Sequence, residues 1–519
     1  MQNILHIVLI GTLLTWIQQI AMASEQREIP PAFGKYINLS EKDFSKSRSF
    51  TSKDKIVGTY YFYWYNVYTK EHILNGDGSD ALTDHPADMT DFSYTSVRWH
   101  KKELTDMIDA GIDVVLPVFW GAPSEQGEKA HLHWSYAGIQ PLVQAREELL
   151  KQGKKPPKIG LFYDTSTLQY NSWQVHVDLT TDFGRRWFYA TVRDFFSMIP
   201  PEHWAMIDNK PIVLLYSAAF AKNHDQSVID FTKQEFKKEF GREPWIGREI
   251  SWHVKADNTV AWGGALGLKN PGVASLGPGY DHSAVPGRQP LIVQRENGKF
   301  YEQQWLKFLR RPSNFVMVET WNEFHEGTDV CESKEYGRQY IQITKKYADM
   351  FKKGVKPTAP KGKYTGANAV SILLGETNVS RGIAQIDNED GQTVPIKING
   401  KTARSTKKVP GYGSYIYFVV DDSFKYADTM DLIVQVHYID DSQGTLGLEY
   451  DGSDQNAPFS GAYTRSPDNV KLLGDKKDKM ATFSMPSAKL LNGQNRGADF
   501  RLVINAPSFI VGEVTLKKR

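Results

Sequence analysis

Between residues 56 and 351, short apolar runs of strand length recur with helix-period segments between them, and few folds accommodate that alternation. The runs lie at 56–65 (IVGTYYFYWY), 112–119 (IDVVLPVF), 158–163, 211–216 (PIVLLY), 245–250, 259–262, 272–276 and 315–318 (FVMV). Helical spacing covers 97–110, where Leu104, Met107 and Ile108 share a face, and 136–151, 183–198, 227–240, 301–309 and 334–351. The pattern reads as parallel strands joined by helical crossovers. Eight units in about 300 residues match a (β/α)8 TIM barrel. The sixth unit lacks a clear helix. A doubly wound open sheet is the rival, but no GxGxxG or GxxxxGK[ST] follows the first strand.

At 519 residues the chain exceeds what one hydrophobic core organises. The stretch 355–366 (VKPTAPKGKYTG) reads as a linker after a barrel domain at 56–354. Beyond it, 415–420, 431–438, 444–450, 480–484, 499–504 and 510–516 alternate or run apolar at strand length, with Asp451-Gly452 and Asn492-Gly493 as turns. Residues 367–519 therefore read as an antiparallel β-sandwich. Residues 1–23 have the form of a secretory signal, with apolar runs at 4–10 and 13–20 and Ala21-Met22-Ala23 before Ser24. A polar N-terminal segment follows at 24–55. Gln18 and Gln19 break the apolar stretch, so no membrane insertion is expected after signal cleavage. The expected location is secreted or periplasmic, and the single cysteine, Cys331, excludes an intrachain disulfide. The formal net charge is +2 without a long like-charged run, so no nucleic-acid or anionic membrane partner is expected.

The run at 315–318 breaks into Glu319, Trp321, Asn322, Glu323, His325 and Glu326, with Gly327 as the turn. Lone carboxylates ordinarily occupy solvated faces. These follow a core strand directly, where a barrel carries its active site. Glu323 and Glu326 are three residues apart, a spacing that places both on one face of a helical turn or tight loop. Such neighbours repel, which raises the pKa of one so that it stays protonated as an acid. Glycoside hydrolysis needs that division of labour: a proton donor for the leaving oxygen, and a second carboxylate as nucleophile or base. ExxE alone occurs on many exposed helices; the strand-to-loop context is what narrows it.

The segment 321–328 (WNEFHEGT) resembles the [FW]NEWHEGT signature of glycoside hydrolase family 99, the endo-α-mannosidases and endo-mannanases, with Phe324 in place of the usual Trp. Residues 275–281 (SLGPGYD) are similar to that family's VGPGY-I-D segment, and 62–66 (FYWYN) stands where it has a FYYPWYGNP-like stretch. The RPWN expected after GPGY is replaced by HSAVPGR at 282–288. The chain thus looks like a distant relative, of the bacterial type grouped as domain of unknown function 5010, with a β-sandwich appended. The resemblance implies a glycosidase without metal or cofactor, acting on an oligosaccharide or polysaccharide. It implies Glu326 as general acid/base and Glu323 as the base that deprotonates the sugar's own 2-hydroxyl, with retention through a 1,2-anhydro sugar. That route needs a 2-hydroxyl trans to the leaving group, as in α-mannosides. Tyr280 would line the site.

Further candidates complete the expected substrate-binding set. Trp64, Tyr65 and Trp120 end strands, where a ring either stacks on a sugar or packs the core. Asp164 follows the third strand and either binds hydroxyls or caps a turn. Asn322, His325, Asp281 and His282 flank the carboxylates. His100 reads as structural, and Cys331 has no evident base partner. Glu249 and His253, with Asp281, His282 and His325, admit a metal-dependent hydrolase as an alternative, although no HExxH spacing supports it. A non-catalytic glycan-binding protein on a barrel scaffold is the other alternative. In the sandwich, Tyr412, Tyr415, Tyr450 and Tyr463, with Asp451, Asp454 and Asp468, fit either a carbohydrate-binding module with a structural Ca2+ or a rigid accessory domain. Specificity is expected in the long loops 68–96 and 255–269.

Overall fold

The computed structural model describes residues 28–519 except 289–290, 358–361, 389, 399, 410–412, 426–428, 455 and 460. The signal-like stretch 1–23, part of the linker and Tyr412 lie outside the described residues. Among the described residues, no helix is long and apolar enough to cross a membrane.

Eight parallel-barrel strands form in the expected order: β1 (Ile56–Tyr61), β2 (Val114–Phe119), β3 (Leu161–Tyr163), β4 (Lys210–Leu215), β5 (Trp245–Glu249), β6 (Asn258–Val260), β7 (Ala274–Leu276) and β8 (Phe315–Val318). Their order in the sheet is β6-β5-β4-β3-β2-β1-β8-β7. Each strand of a closed (β/α)8 ring neighbours its successor. That holds here everywhere except between β6 and β7, so the barrel is nearly closed. The opening coincides with the unit in which no helix is legible, because β6 and β7 are joined only by a short turn, Gly264–Leu266. Gly264 is required there: a Cβ would lie 2.5 Å from the backbone N of Leu276. All residues of β1, β2 and β8 are buried, as strands covered on both faces must be.

The helices begin and end on local chemistry. In α1 (Val97–Ala110), Ser96 accepts from the Trp99 N–H at the N-cap, and Gly111 closes the helix in the left-handed region. In α4 (Gln226–Phe240), Asp225 and Gly241 play the same parts. Between them lie α2 (Ile139–Lys151) and α3 (Asp182–Ser197). The helix expected at 136–151 is divided at Gly138, where a Cβ would meet the Tyr63 ring at 2.6 Å. Later come α5 (Lys299–Arg310) and α6 (Gln339–Lys353). The start of α6 falls after residue 334 because Glu335 is drawn off to accept from the His85 N–H at 2.8 Å.

By its contacts the chain divides into two compact units. The first is Met1–Val260, Asp281–Pro290 and Thr320–Lys345; the second is Ala261–Tyr280, Leu291–Glu319 and Lys346–Arg519. The second contains two antiparallel sheets of seven and six strands. Their inner faces supply one apolar core, with Leu432, Val434, Phe483 and Val514 from one sheet and Ile416, Phe418, Leu448 and Leu502 from the other. The strands at Gln392–Ile398 and Lys401–Lys407 escape sequence reading: the first is interrupted by Pro395 and buries only Thr393, and the second is mostly polar and buries only Ala403.

A buried polar cluster belongs to the same unit. Lys425 Nζ donates to both carboxylate oxygens of Asp499, at 2.8 and 2.7 Å, and to Asn492 Oδ1 at 3.0 Å. Lys307 of α5 reaches Asn492 Oδ1 at 2.7 Å and Asp422 at 3.0 Å. Removing one partner of such a pair leaves an uncompensated buried charge. Asp499→Ala is therefore expected to destabilise the chain by about 3–5 kcal/mol in chemical denaturation, and a change under about 1 kcal/mol would contradict this assignment.

Candidate active site

The chain leaves β8 and folds into a closed loop. The Trp321 N–H donates to Tyr60 O at 2.9 Å, and Trp321 O accepts from the N–H groups of Val330 (3.0 Å) and Cys331 (2.9 Å). The Thr320 N–H meets Thr328 O at 2.9 Å. Gly327 turns the chain at φ 53°, and a Cβ there would approach Asp281 O to 3.1 Å. Trp321 is buried and its indole N–H donates to Glu103 Oε2 of α1 at 2.6 Å.

Asn322 joins this loop to the segment after β1. Its side-chain oxygen accepts from the Phe62 N–H at 2.8 Å, and its amide N–H donates to Phe62 O at 2.7 Å. The Tyr65 hydroxyl donates to Asn322 O at 3.1 Å and accepts from the Phe324 N–H at 3.1 Å. Both side chains are buried and engaged inside the fold. Tyr65 packs face to face with Phe92 and His325 and presents no open ring.

Glu323 is buried, with only 3% of its surface exposed. One oxygen, Oε1, accepts from the His325 N–H at 3.0 Å and lies 2.7 Å from His325 Nδ1. Burial pushes its pKa up, His325 opposes the rise, and the nearby charge of Glu326 adds to it. For His325, burial disfavours the charged ring, but the Glu323 carboxylate outweighs this and its pKa is raised. Glu326 is more open. Its side chain is 21% exposed, and Oε1 accepts from Arg288 Nη1 at 2.6 Å. The backbone of Glu326 is held by the Asp281 N–H, 2.9 Å from its carbonyl. The two carboxylates expected to work together thus share one loop, in unlike environments.

Around them stand rings. Trp64 is half-buried, stacked on His72 and edge-on to Trp120, Trp134 and His325. The indole N–H groups of Trp64 and Trp120 are buried and meet no acceptor at bonding geometry among the described residues. Trp120 nonetheless lies near enough to Asp164 to favour its carboxylate. Asp164 caps the turn Thr165–Leu168 through Ser166, and burial pushes its pKa up to about 6. Asp281 accepts from Ser283, His282 is buried, and Tyr280 is half-buried at the start of the strand Tyr280–Asp281.

Other candidates lie elsewhere. His100 is buried between the Tyr61 hydroxyl (2.9 Å) and Tyr94 O (2.8 Å), and burial pushes its pKa down to about 4, a structural setting. Cys331 is buried, with its thiol pKa raised by burial. Glu249 accepts from the Ser251 N–H, and His253 stacks on His224. Among the described residues, no group of three or more His, Cys, Asp or Glu is placed to hold a metal ion. In the sandwich, Asp451, Asp454 and Asp468 each accept from backbone N–H groups, Tyr450 and Tyr463 are buried, and Tyr415 lies beneath the Arg501 guanidinium at 3.8 Å. His72, Trp134, Arg288 and Glu103 were not singled out by the sequence. Arg288 lies inside the segment that replaces RPWN and His72 inside the long loop 68–96, and those were their only signals; Trp134 and Glu103 carried none.

The chain belongs to the family described as a domain of unknown function (DUF5010), whose model matches residues 40–364. No curated protein matches it. Among solved structures it is similar to the GH99 endo-alpha-mannosidase from Bacteroides thetaiotaomicron in complex with BIS-TRIS-propane, at 16% identity and a TM-score of 0.43, over 58% of this chain and 98% of that one. A second structure of that endo-alpha-mannosidase matches at 14% identity and a TM-score of 0.42, over 59% of this chain and 99% of that one. A glycoside hydrolase-like protein matches at 16% identity and a TM-score of 0.41, over 59% of this chain and 98% of that one.

Glu103, beneath Trp321, gives a pH-dependent test. Burial pushes its pKa from 4.5 to about 7, against the charge of Lys102. Between those values the folded chain holds a proton that the unfolded chain has released, so Glu103 costs stability as pH rises. Glu103→Gln removes that cost, by at most roughly 3 kcal/mol. The variant's Tm relative to wild type is expected to climb between about pH 5 and about pH 8. A difference independent of pH would contradict the assignment.

Proposed function

We propose that this protein is a glycoside hydrolase that cleaves an α-mannoside-like linkage in an oligosaccharide or polysaccharide, with retention and with participation of the substrate's 2-hydroxyl. The reading is carried by one observation: two carboxylates on one loop after β8, one buried with a raised pKa and held by His325, the other partly open and met by Arg288. The likeness of WNEFHEGT and SLGPGYD to the family 99 segments supports the assignment of roles.

In this mechanism Glu323 takes the proton from the sugar 2-hydroxyl. A raised pKa makes it a stronger base once ionised, and the charged form is favoured by His325 at 2.7 Å. The freed oxygen attacks C1 from the face opposite the leaving group and closes a three-membered ring. Glu326 delivers its proton to the departing glycosidic oxygen, so the C1–O bond breaks without generating an alkoxide. Water then enters at C1, giving its proton to Glu326, while O2 recovers a proton from Glu323. Two inversions at C1 leave the configuration unchanged, and both carboxyl groups return to their starting states. Positioning by the barrel supplies much of the rate.

Glu326→Gln and Glu323→Gln are each expected to lower glycan release by about 10²–10⁴-fold while leaving the fold intact. Chromatography of products from α-mannan and high-mannose glycans measures it. A wild-type protein that binds glycans from a broad panel and releases sugar from none would favour the binding-only alternative. Inhibition by EDTA would favour the metal hydrolase.

A further inference from the structure

The loop 66–96 contributes a side chain that the mechanism above does not use. Just past β1 the chain turns at Lys70 and His72, both at positive φ (65° and 56°). Non-glycine residues adopt this region at a cost and hold it only where the surroundings impose it. The surroundings do so here. The Asn66 N–H donates to Glu71 O at 3.1 Å, and the Ile73 N–H donates to Lys70 O at 3.1 Å. Ile73, Ala81 and Leu82 are buried. Further along, Thr83 donates its N–H to Phe324 O (2.9 Å) and its hydroxyl to His325 O (2.8 Å), so the loop is fastened to the catalytic loop itself. His85 adds contacts to Asp80 (2.9 Å) and Glu335 (2.8 Å).

The strained turn delivers the His72 ring flat onto Trp64, with centroids 4.6 Å apart and planes 5° from parallel. It stands edge-on to Trp134 at 5.6 Å and to His325 at 6.3 Å. Trp64, half-buried, stands edge-on to His325, the partner of Glu323, at 5.4 Å. One face of the ring on which a sugar would stack is therefore already covered by protein. Accepting the glycosidase reading, we propose that His72 is a specificity-determining residue: its ring walls off one end of the site, so a glycan chain terminates against it and cleavage is directed from a chain end. Burial and the facing His325 and His131 push its pKa down to about 3, so the ring remains neutral and behaves as a flat apolar plate.

The test uses the full chain and a graded series of linear α-mannooligosaccharides, from disaccharide to hexasaccharide, with products sized by chromatography. His72→Gly removes the plate and relieves the positive φ. His72→Asn, which tolerates the same backbone, serves as a second truncation. His72→Phe restores the plate without a titrating group. Wild type and His72→Phe are expected to release one product size whatever the chain length. The truncations are expected to release a spread of sizes, with kcat/KM on the longest substrates raised by about tenfold or more. Identical product patterns in wild type and both truncations would overturn the proposal while leaving the glycosidase reading standing. So would internal cleavage by wild type, or a His72→Phe variant that behaves like the truncations. A wild type that cleaves no member of the series or of a wider glycan panel would overturn the glycosidase reading and this proposal with it.

Discussion

The reciprocal pair between Asn322 and the backbone of Phe62 holds the site together. A side-chain amide here imitates a neighbouring strand, giving and taking one hydrogen bond each at 2.7 and 2.8 Å. It extends the register past β1, whose last residue is Tyr61, and fixes the loop after β8 against it. The pairing is buried, so its loss would leave two backbone groups unsatisfied, at roughly 1–3 kcal/mol each. Tyr65 repeats the device one turn away, its hydroxyl bridging Asn322 O and the Phe324 N–H. Glu323 and His325 hang from this frame, and their geometry follows from it.

Electrostatics then separates the acids. Burial raises all four of Glu323, Glu103, Asp164 and Glu319, Asp164 to about 6 and Glu103 and Glu319 to about 7. Each has found a different compensation: His325 for Glu323, the Trp321 indole for Glu103, Ser166 for Asp164, and the Ser275 hydroxyl with the Gly263 N–H for Glu319. Glu326 alone among the loop's three glutamates keeps a partly open side chain and a solvated arginine partner. Three acids within eight residues thus occupy three environments.

Much of this was legible in the sequence, and the reason is periodicity. Buried parallel strands such as 315–318 are apolar throughout, so β8 and the loop it discharges could be located before any coordinates. The missing sixth helix was legible too, as a lack of pattern. What escaped was whatever depends on long-range contact. Asn322 reads as a polar site residue, yet its amide is used inside the fold. The run 56–65 reads as one strand, but the chain leaves the sheet after Tyr61 and the last four residues become loop. His72 lies in a polar stretch without period, and only the folded chain reveals what it covers. The sandwich strand at Lys401–Lys407 carries no apolar signature, and in Gln392–Ile398 the alternation of Val394, Ile396 and Ile398 is broken by Pro395, with none of the three fully buried.

The central claim is that Glu323 and Glu326 address adjacent atoms of one sugar. A crystal structure of Glu326→Gln soaked with an α-mannooligosaccharide tests it most directly. The account predicts a 2-hydroxyl within hydrogen-bond reach of the Glu323 carboxylate, and the glycosidic oxygen of the same residue within reach of the side chain at position 326. A saccharide bound in that loop with its 2-hydroxyl turned away from Glu323, or one bound only on the sandwich, would contradict it.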